Sequence, residues 1–295
     1  MGNDASWRTA PGDPASFVLE YRLEGGRRLG EGVCERDSRL VVNSEDRAAF
    51  MEKHRSEGDE GGEPIGTFRL PLAGERLARL PALVRRVKLE EVPPPRGADL
   101  DTSLLTLAFR QGATAIEKQF ISRDAETIDR LEPLLSELEA IEDELDAHPV
   151  AAVRLAVAPA PPGHGRRFEL AVTNIGKTDV RLADPRALDH DERHHWAGVR
   201  IAELPEERPG FTSPPLQWSR ILLMPALGEP AGGGDLILKP GQKFAAPTLQ
   251  WLPMHLGVAC LAQGVLSNYT GHGETDGCYR IRGALFSEFL GITAR

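Results

Sequence analysis

Two short runs of strictly alternating apolar and polar side chains, separated by a turn sequence, constrain the fold of this chain most. They lie in residues 168–185, FELAVTNIGKTDVRLADP, and a period of two is the pattern of a half-buried β-strand. The apolar positions are Phe168, Leu170, Val172, Val180 and Leu182. Between the runs, residues 174–177 include an asparagine and a glycine, which tolerate positive φ, so we predict a tight turn that joins two antiparallel neighbours.

The carboxy-terminal half repeats this pattern of short strands between turns. Strand candidates are residues 150–157, 196–201, 216–223, 236–238, 244–251, 256–261 and 278–286. Proline and glycine clusters separate them, and KPGQ at residues 239–242 is a turn typical of immunoglobulin-like modules. The spacing predicts an all-β, immunoglobulin-like sandwich.

The amino-terminal half mixes strand and helix patterns. Strand candidates are residues 17–23, 33–35, 39–42, 65–70, 104–110 and 115–121, and the last two form a hairpin. One helix is predicted at residues 45–54 with Ser44 as its cap, and a second at residues 74–90. A third, long amphipathic helix begins after Ser122 or Asp124. These elements together predict an α+β domain.

We expect a flexible tail at residues 1–14, an α+β domain at residues 15–148 and a β-sandwich domain at residues 149–295. The boundary follows from His148 and a proline, which end the long helix. The proline-rich loop at residues 158–165 is a second candidate boundary. A chain of 295 residues is long enough for two domains that each bury a core.

The composition excludes several classes of partner. The formal net charge is −9, whereas proteins that bind nucleic acid or an anionic membrane have a dominant basic face, so we expect neither partner. The amino terminus lacks the pattern of a secretory signal, and no apolar run is long enough to cross a bilayer. Cys34, Cys260 and Cys278 are far apart in sequence and predict reduced thiols, so we expect a cytoplasmic protein.

A cluster of histidines and acidic residues, DHDERHH, occupies residues 189–195. Imidazoles and carboxylates bind zinc and other divalent ions, so His190, His194 and His195 are candidate metal ligands. His164 and His272 are further candidates for a metal-dependent enzyme. The cluster contains no HExxH motif and includes Arg193, which would repel a cation, so an exposed polar loop is the alternative interpretation. We predict no other cofactor and no catalytic residue, because no nucleophile elbow, Walker loop or GxGxxG motif occurs.

Trp196, Trp218 and Trp251 each lie in a strand candidate of the carboxy-terminal half. A tryptophan that points into a β-sandwich packs in its core, whereas one on an outer face can anchor a partner protein. These three residues are therefore the candidate partner-binding residues.

The carboxy-terminal half resembles the immunoglobulin-like fold of bacterial intracellular proteinase inhibitors. The matching segments are FELAVTN at residues 168–174, VRL at residues 180–182 and LKPGQKF at residues 238–244. The amino-terminal half resembles emfourin-type inhibitors of metalloproteases in its order of strands and helices and in Gly25 and Gly26. The resemblance implies a protein that inhibits a protease.

Our leading expectation is a non-enzymatic module that binds another protein through sandwich loops or an exposed strand edge. Protease inhibition and toxin neutralisation are two versions of this expectation. A metal-dependent enzyme built on His190, His194 and His195 is the first alternative. A structural or assembly component that forms a defined homo-oligomer is the second.

Overall fold

The computed structural model describes residues 15–24, 36–54, 62–95, 104–121, 124–160, 167–186, 188, 195–204, 218–224, 234–252, 258–268, 278–281 and 283–293. These residues are mostly β, and their strands form several sheets. The chain divides into two compact units: Met1–His54 with Gly66–Val150, and Arg55–Ile65 with Ala151–Arg295. The predicted tail at residues 1–14 and the predicted strand at residues 33–35 lie outside the described residues.

The strands of the first unit form an antiparallel sheet. They are β1 (Phe17–Glu24), β2 (Arg36–Asn43), β3 (Ala48–Lys53), β4 (Ile65–Pro71), β5 (Leu104–Gln111) and β6 (Thr114–Ile121), in the order β4-β3-β2-β1-β5-β6. Leu19 of β1 is opposite Val42 of β2 on one side and Phe109 of β5 on the other, and all three are buried. The predicted hairpin between β5 and β6 is confirmed, with Gly112 at φ 54° in its turn.

Two helices pack together in this unit, α1 (Gly74–Arg86) and α2 (Ala125–Leu145), and α2 also contacts β3. The apolar stripe of α2 is buried, as its spacing of three and four residues predicts. Asp124 caps α2 by accepting a hydrogen bond from the Thr127 backbone amide at 3.4 Å, which confirms one of the two predicted caps. Pro81 and Pro133 lie inside the helices, so neither marks a helix start.

The predicted helix at residues 45–54 is wrong, because this segment forms β3. Residues 44–47 make a turn that ends with Arg47 at φ 50°, and β3 then pairs with both β2 and β4. The Ser44 hydroxyl accepts a hydrogen bond from the Phe17 amide at 2.7 Å and donates one to the Phe17 carbonyl at 3.0 Å. Ser44 therefore attaches the turn to β1 instead of capping a helix, and sheet pairing overrides the local helix preference.

The second unit consists of short strands. They are β7 (Pro149–Pro159), β8 (Phe168–Asn174), β9 (Val180–Ala183), β10 (His195–Glu203), β11 (Ser219–Leu222), β12 (Asp235–Leu238), β13 (Lys243–Pro247), β14 (Ala259–Asn268), β15 (Tyr279–Arg280), β16 (Gly283–Phe286) and β17 (Leu290–Thr293). Within this unit the strands form three hydrogen-bonded groups. In spatial order these are β13-β8-β7, then β11-β10-β14-β16, in which β17 also pairs with β14, and then β12-β9-β15. Most predicted strands are confirmed, and β14 is longer than predicted. The predicted strand at residues 278–286 is instead two strands, β15 and β16, in different groups, and the one predicted at residues 244–251 ends at Pro247.

One buried cluster receives side chains from all three groups of strands. Leu170 and Val172 come from β8, Val180 from β9, and Leu266 and Leu285 from β14 and β16. Each of these residues is at most 5% exposed. The alternation in β8 and β9 therefore marks the buried side of each strand correctly.

The predicted hairpin between β8 and β9 is wrong, because the two strands do not pair with each other. β8 pairs with β7 and β13, whereas β9 pairs with β12 and β15. The fully buried Asn174 side chain holds the connection: its amide donates to the carbonyls of Thr178 at 2.9 Å and Leu238 at 2.8 Å, and its oxygen accepts from the Gly176 amide at 2.8 Å. The asparagine thus stabilises a crossing between two groups of strands instead of a tight turn.

The predicted turn at residues 239–242 is confirmed and makes a second crossing, from β12 to β13. Gly241 has φ 75°, and the Gln242 amide donates to the Lys239 carbonyl at 2.9 Å. Backbone hydrogen bonds join the two crossing segments. The Gly241 N–H donates to the backbone carbonyl of Asn174 at 2.9 Å, and the backbone N–H of Asn174 donates to the Gln242 carbonyl at 3.0 Å.

Candidate protein-binding face

Strand β10 has one side in the core and one side away from it. Ala197, Val199 and Ile201 belong to the buried clusters, so Trp196 and Arg200 lie on the opposite side of the strand. Trp196 is nevertheless buried, at 8% exposed, whereas Arg200 is half-buried. We call this side, together with its neighbours on adjacent segments, the aromatic–arginine face. Its members are Trp196, Arg200, Trp218, Arg220, Phe286 and Phe289.

Arg200 is held at the centre of this face by two aromatic rings and one amide. Its guanidinium carbon lies 4.5 Å from the ring centroid of Trp218 and 5.2 Å from that of Phe286. Its Nε donates to Oε1 of Gln263 at 2.7 Å, and Gln263, which is fully buried, donates from Nε2 to the Ser287 carbonyl at 2.9 Å. The position of the guanidinium is therefore fixed by the sheet beneath it.

The aromatic contacts extend on both sides of Arg200. Trp218 stacks on Phe289, with ring centroids 5.9 Å apart and an interplanar angle of 12°. Arg220, opposite Arg200 in the ladder between β10 and β11, is exposed and lies over Trp196 at 4.9 Å. Like charges directly opposite each other repel, and the negative faces of the rings offset that repulsion.

The structure brings Trp196 and Trp218 to one side of the sheet and places Trp251 elsewhere. Trp196 is buried beneath Arg220, whereas Trp218 and Trp251 are half-buried. Trp251 packs against the second buried cluster, and its ring centroid is 6.2 Å from that of Phe168. Its neighbours in sequence are more exposed, Leu249 at 44% and Leu252 at 76%. Trp251 is therefore at the edge of the core, beside exposed apolar side chains.

The predicted metal ligands His190 and His194 lie outside the described residues, as do His164 and His272. The backbone of His195 begins β10, opposite Asn268 of β14. In the ranges that the structure describes, no group of three or more histidine, cysteine or acidic side chains could hold a metal ion. The metal site stays a prediction that metal analysis of untagged protein would test.

The described cysteines differ in exposure. Cys260 is buried, Cys278 is half-buried, and both are free thiols, whereas Cys34 lies outside the described residues. Burial, together with the nearby Glu203 carboxylate, raises the pKa of the Cys260 thiol. Cys260 therefore stays protonated at neutral pH and lacks the character of a nucleophile.

The arginines, phenylalanines and Gln263 of the face were not predicted from sequence. A signal was present, because Trp196 and Arg200 are four residues apart in β10, and Arg220 of β11 is two residues after Trp218, which immediately precedes that strand. An even spacing places such pairs on one face of a strand. The local sequence does not give the register between β10 and β11, which places Arg200 opposite Arg220 and depends on pairing across the sheet.

Comparison with known proteins finds no family model that matches the chain and no significant match to a curated protein. Neither helix within the described ranges has the length and apolar character needed to span a bilayer.

Proposed function

We propose that the protein is a non-enzymatic binding module, an α+β domain followed by an immunoglobulin-like sandwich that holds another protein on the aromatic–arginine face. The observation that carries the proposal is the position of Arg200 between Trp218 and Phe286, on the side of the sheet away from the core. Tryptophan, phenylalanine and arginine are enriched at protein interfaces and dominate their energetic hot spots.

The face is rigid before any partner arrives. Arg200 is oriented by a buried glutamine as well as by its two rings, so little side-chain freedom is left to lose on binding. A guanidinium stacked on an aromatic ring can still donate hydrogen bonds from its edge. We expect the partner to present carboxylates or backbone carbonyls to Arg200 and Arg220, with apolar side chains against the rings.

The resemblance of the two halves to bacterial proteinase inhibitors supports one version of this function, inhibition of a protease. Neutralisation of a toxin is a second version with the same physical basis. The free thiols of Cys260 and Cys278 are compatible with the reducing cytoplasm, where we place the protein.

The proposal is tested by capture with untagged protein from the source cell lysate, followed by mass spectrometry. Wild type, Arg220→Ala and Arg154→Ala serve as parallel baits. Arg220 is an exposed part of the face, and Arg154 is an exposed arginine of β7 in the same unit. We expect wild type and Arg154→Ala to hold one stoichiometric partner, and Arg220→Ala to bind that purified partner about tenfold or more weakly.

Equal binding by all three baits would show that the partner uses another surface. A homo-oligomer that Arg220→Ala dissociates would favour an assembly component instead. Turnover in broad hydrolase screens, lost on mutation of one residue, would overturn the non-enzymatic reading. Near-stoichiometric metal in the untagged protein, lost in His190→Ala/His194→Ala, would point to the metal-dependent alternative.

A further inference from the structure

A groove of about 510 Å³ runs along α1 in the first unit. Gly74, Leu77, Pro81 and Arg85 line it at steps of three and four residues, so it follows one side of the helix. The eleven residue steps from Gly74 to Arg85 correspond to about 16 Å along the helix axis. The groove is therefore long and narrow rather than a closed cavity.

The floor of the groove is apolar and firmly packed. Phe17 and Leu77 are 3% and 7% exposed, and Pro81 is buried. The Phe17 ring lies 6.0 Å from the ring of Phe109 beneath it. The Ser44 hydroxyl, which also lines the groove, is occupied by both backbone groups of Phe17. An occupant would therefore meet apolar side chains on the floor and about as much polar surface elsewhere in the lining.

A cation lies at each end. Arg85 is on the last turn of α1, and the Nη2 of Arg47 lies 3.5 Å from the position that a Cβ on Gly74 would take. Both arginines are exposed, and neither side chain makes a hydrogen bond or ion pair within the part of the chain that the structure describes.

Two other arginines of α1 form ion pairs with acidic residues of α2. The Arg76 guanidinium donates to Glu137 and Glu144 of α2, each at 2.7 Å, and Arg79 pairs with Glu137 at 3.2 Å. These contacts outweigh burial and raise the pKa of Arg76. Arg76 and Arg79 are thus paired with acidic residues of α2, whereas Arg85 of α1 and Arg47 of the turn before β3 make no ion pair with any residue that the structure describes.

We propose that this groove binds an extended peptide segment of a partner protein, in which apolar side chains lie between two acidic side chains. An extended chain advances about 3.3 Å per residue, so carboxylates four to five residues apart match the two arginines. Each peptide carboxylate would pair with one guanidinium group in a bidentate geometry. The apolar side chains between the two carboxylates would cover the floor of the groove.

The surroundings select against other occupants. A basic segment would be repelled by both arginines. A nucleic acid carries charge along its whole length, and the exposed acidic residues Glu45, Asp46 and Glu75 beside the groove would repel it. The same acidic residues weaken the attraction of a peptide carboxylate at the Arg47 end, but Arg47 lines the groove and they do not. The groove and the aromatic–arginine face are separate surfaces, so this proposal does not rest on the proposed function.

The test uses the full chain and a fluorescein-labelled, amidated peptide with three leucines between two aspartates, followed by fluorescence anisotropy. The variants are Arg47→Gln, Arg85→Gln and the double variant. Arg86→Gln is the matched control, because Arg86 is the next residue on α1, is exposed and does not line the groove. Both groove arginines are exposed and pair with none of the described residues, so the variants should fold like wild type, which thermal unfolding verifies.

We expect saturable binding that each single substitution weakens about fivefold and the double variant about twentyfold, with no change in Arg86→Gln. A peptide with asparagines in place of the aspartates should bind as weakly as the double variant binds the original. Absence of saturable binding at about 1 mM peptide, or equal binding by all variants, would overturn the proposal. So would a dimer that Arg47→Gln dissociates, since the occupant would then be a second copy of the chain.

Discussion

Replacement of Asn174 by alanine tests whether one buried amide holds the crossing between β8 and β9. The side chain is fully buried and makes three hydrogen bonds, to the Gly176 amide and to the carbonyls of Thr178 and Leu238. Asn174→Ala removes all three and leaves buried backbone groups without partners. Each such group costs about 1–3 kcal/mol, and partial relaxation reduces the sum, so we expect a loss of about 3–5 kcal/mol. That is a large share of the roughly 5–15 kcal/mol stability of a typical domain.

The assay is urea denaturation followed by tryptophan fluorescence. Three of the four tryptophans of the chain, Trp196, Trp218 and Trp251, belong to the second unit, so the signal reports mainly on that unit. The stability change is taken from the shift in transition midpoint at unchanged slope.

Two further variants make the result specific. Thr173→Ala changes the neighbouring residue of β8, which is half-buried, and should cost under about 1 kcal/mol. Asn174→Asp keeps the acceptor but turns a carboxylate towards two carbonyls, so it should destabilise at least as much as Asn174→Ala. If the stability losses of Asn174→Ala and Thr173→Ala differed by less than about 1 kcal/mol, the side-chain amide of Asn174 would not be what holds the crossing.

Three other outcomes are expected. Gly198→Ala should destabilise the second unit by about 1–3 kcal/mol in the same assay, because its Cβ would overlap the backbone carbonyl oxygen of Ile221 in β11. Gly291→Ala is the control and should be close to neutral, because its Cβ would meet nothing within 4 Å. Burial disfavours the charged form of Asp184, but hydrogen bonds from Arg186 outweigh burial and lower the pKa of its carboxyl group below 3.8. Asp184→Asn should therefore lower the free energy of unfolding at neutral pH. This loss should disappear as the pH falls below 3.8 and the native carboxylate becomes protonated. Cys260 should resist a thiol reagent in the native protein and react on unfolding, and rapid labelling of the native thiol, identified by peptide mapping, would contradict its raised pKa.

Local signals were sufficient for several elements. The long helix α2 follows from apolar residues at steps of three and four and from a capping aspartate, and both features act within a few residues of chain. The hairpin of β5 and β6 follows from a glycine that adopts positive φ between two strands. The predicted boundary at residues 148 and 149 and the immunoglobulin-like topology stay predictions.

The candidate site was only partly visible in the sequence. Trp196 and Trp218 were singled out as aromatic residues of strands, but nothing in their local sequence distinguishes them from Trp251, which lies at the edge of the core. Arg200 and Arg220 gain their significance from being opposite each other on adjacent strands and from the rings beside them. Such a face depends on register, and register is set by burial of the whole sheet.

The sequence by itself determined which segments are strands or helices where the periodicity was strong, and which side of each strand is buried. Only the tertiary structure decided which strands are neighbours, and it made β3 a strand where residues 45–54 predicted a helix. The physical reason is the range of the interactions. Helix caps and glycine turns act over a few residues, whereas Asn174 bonds to Leu238, 64 residues away, and Ser44 to Phe17, 27 residues away. The contacts that set strand order exist only after distant segments have packed together.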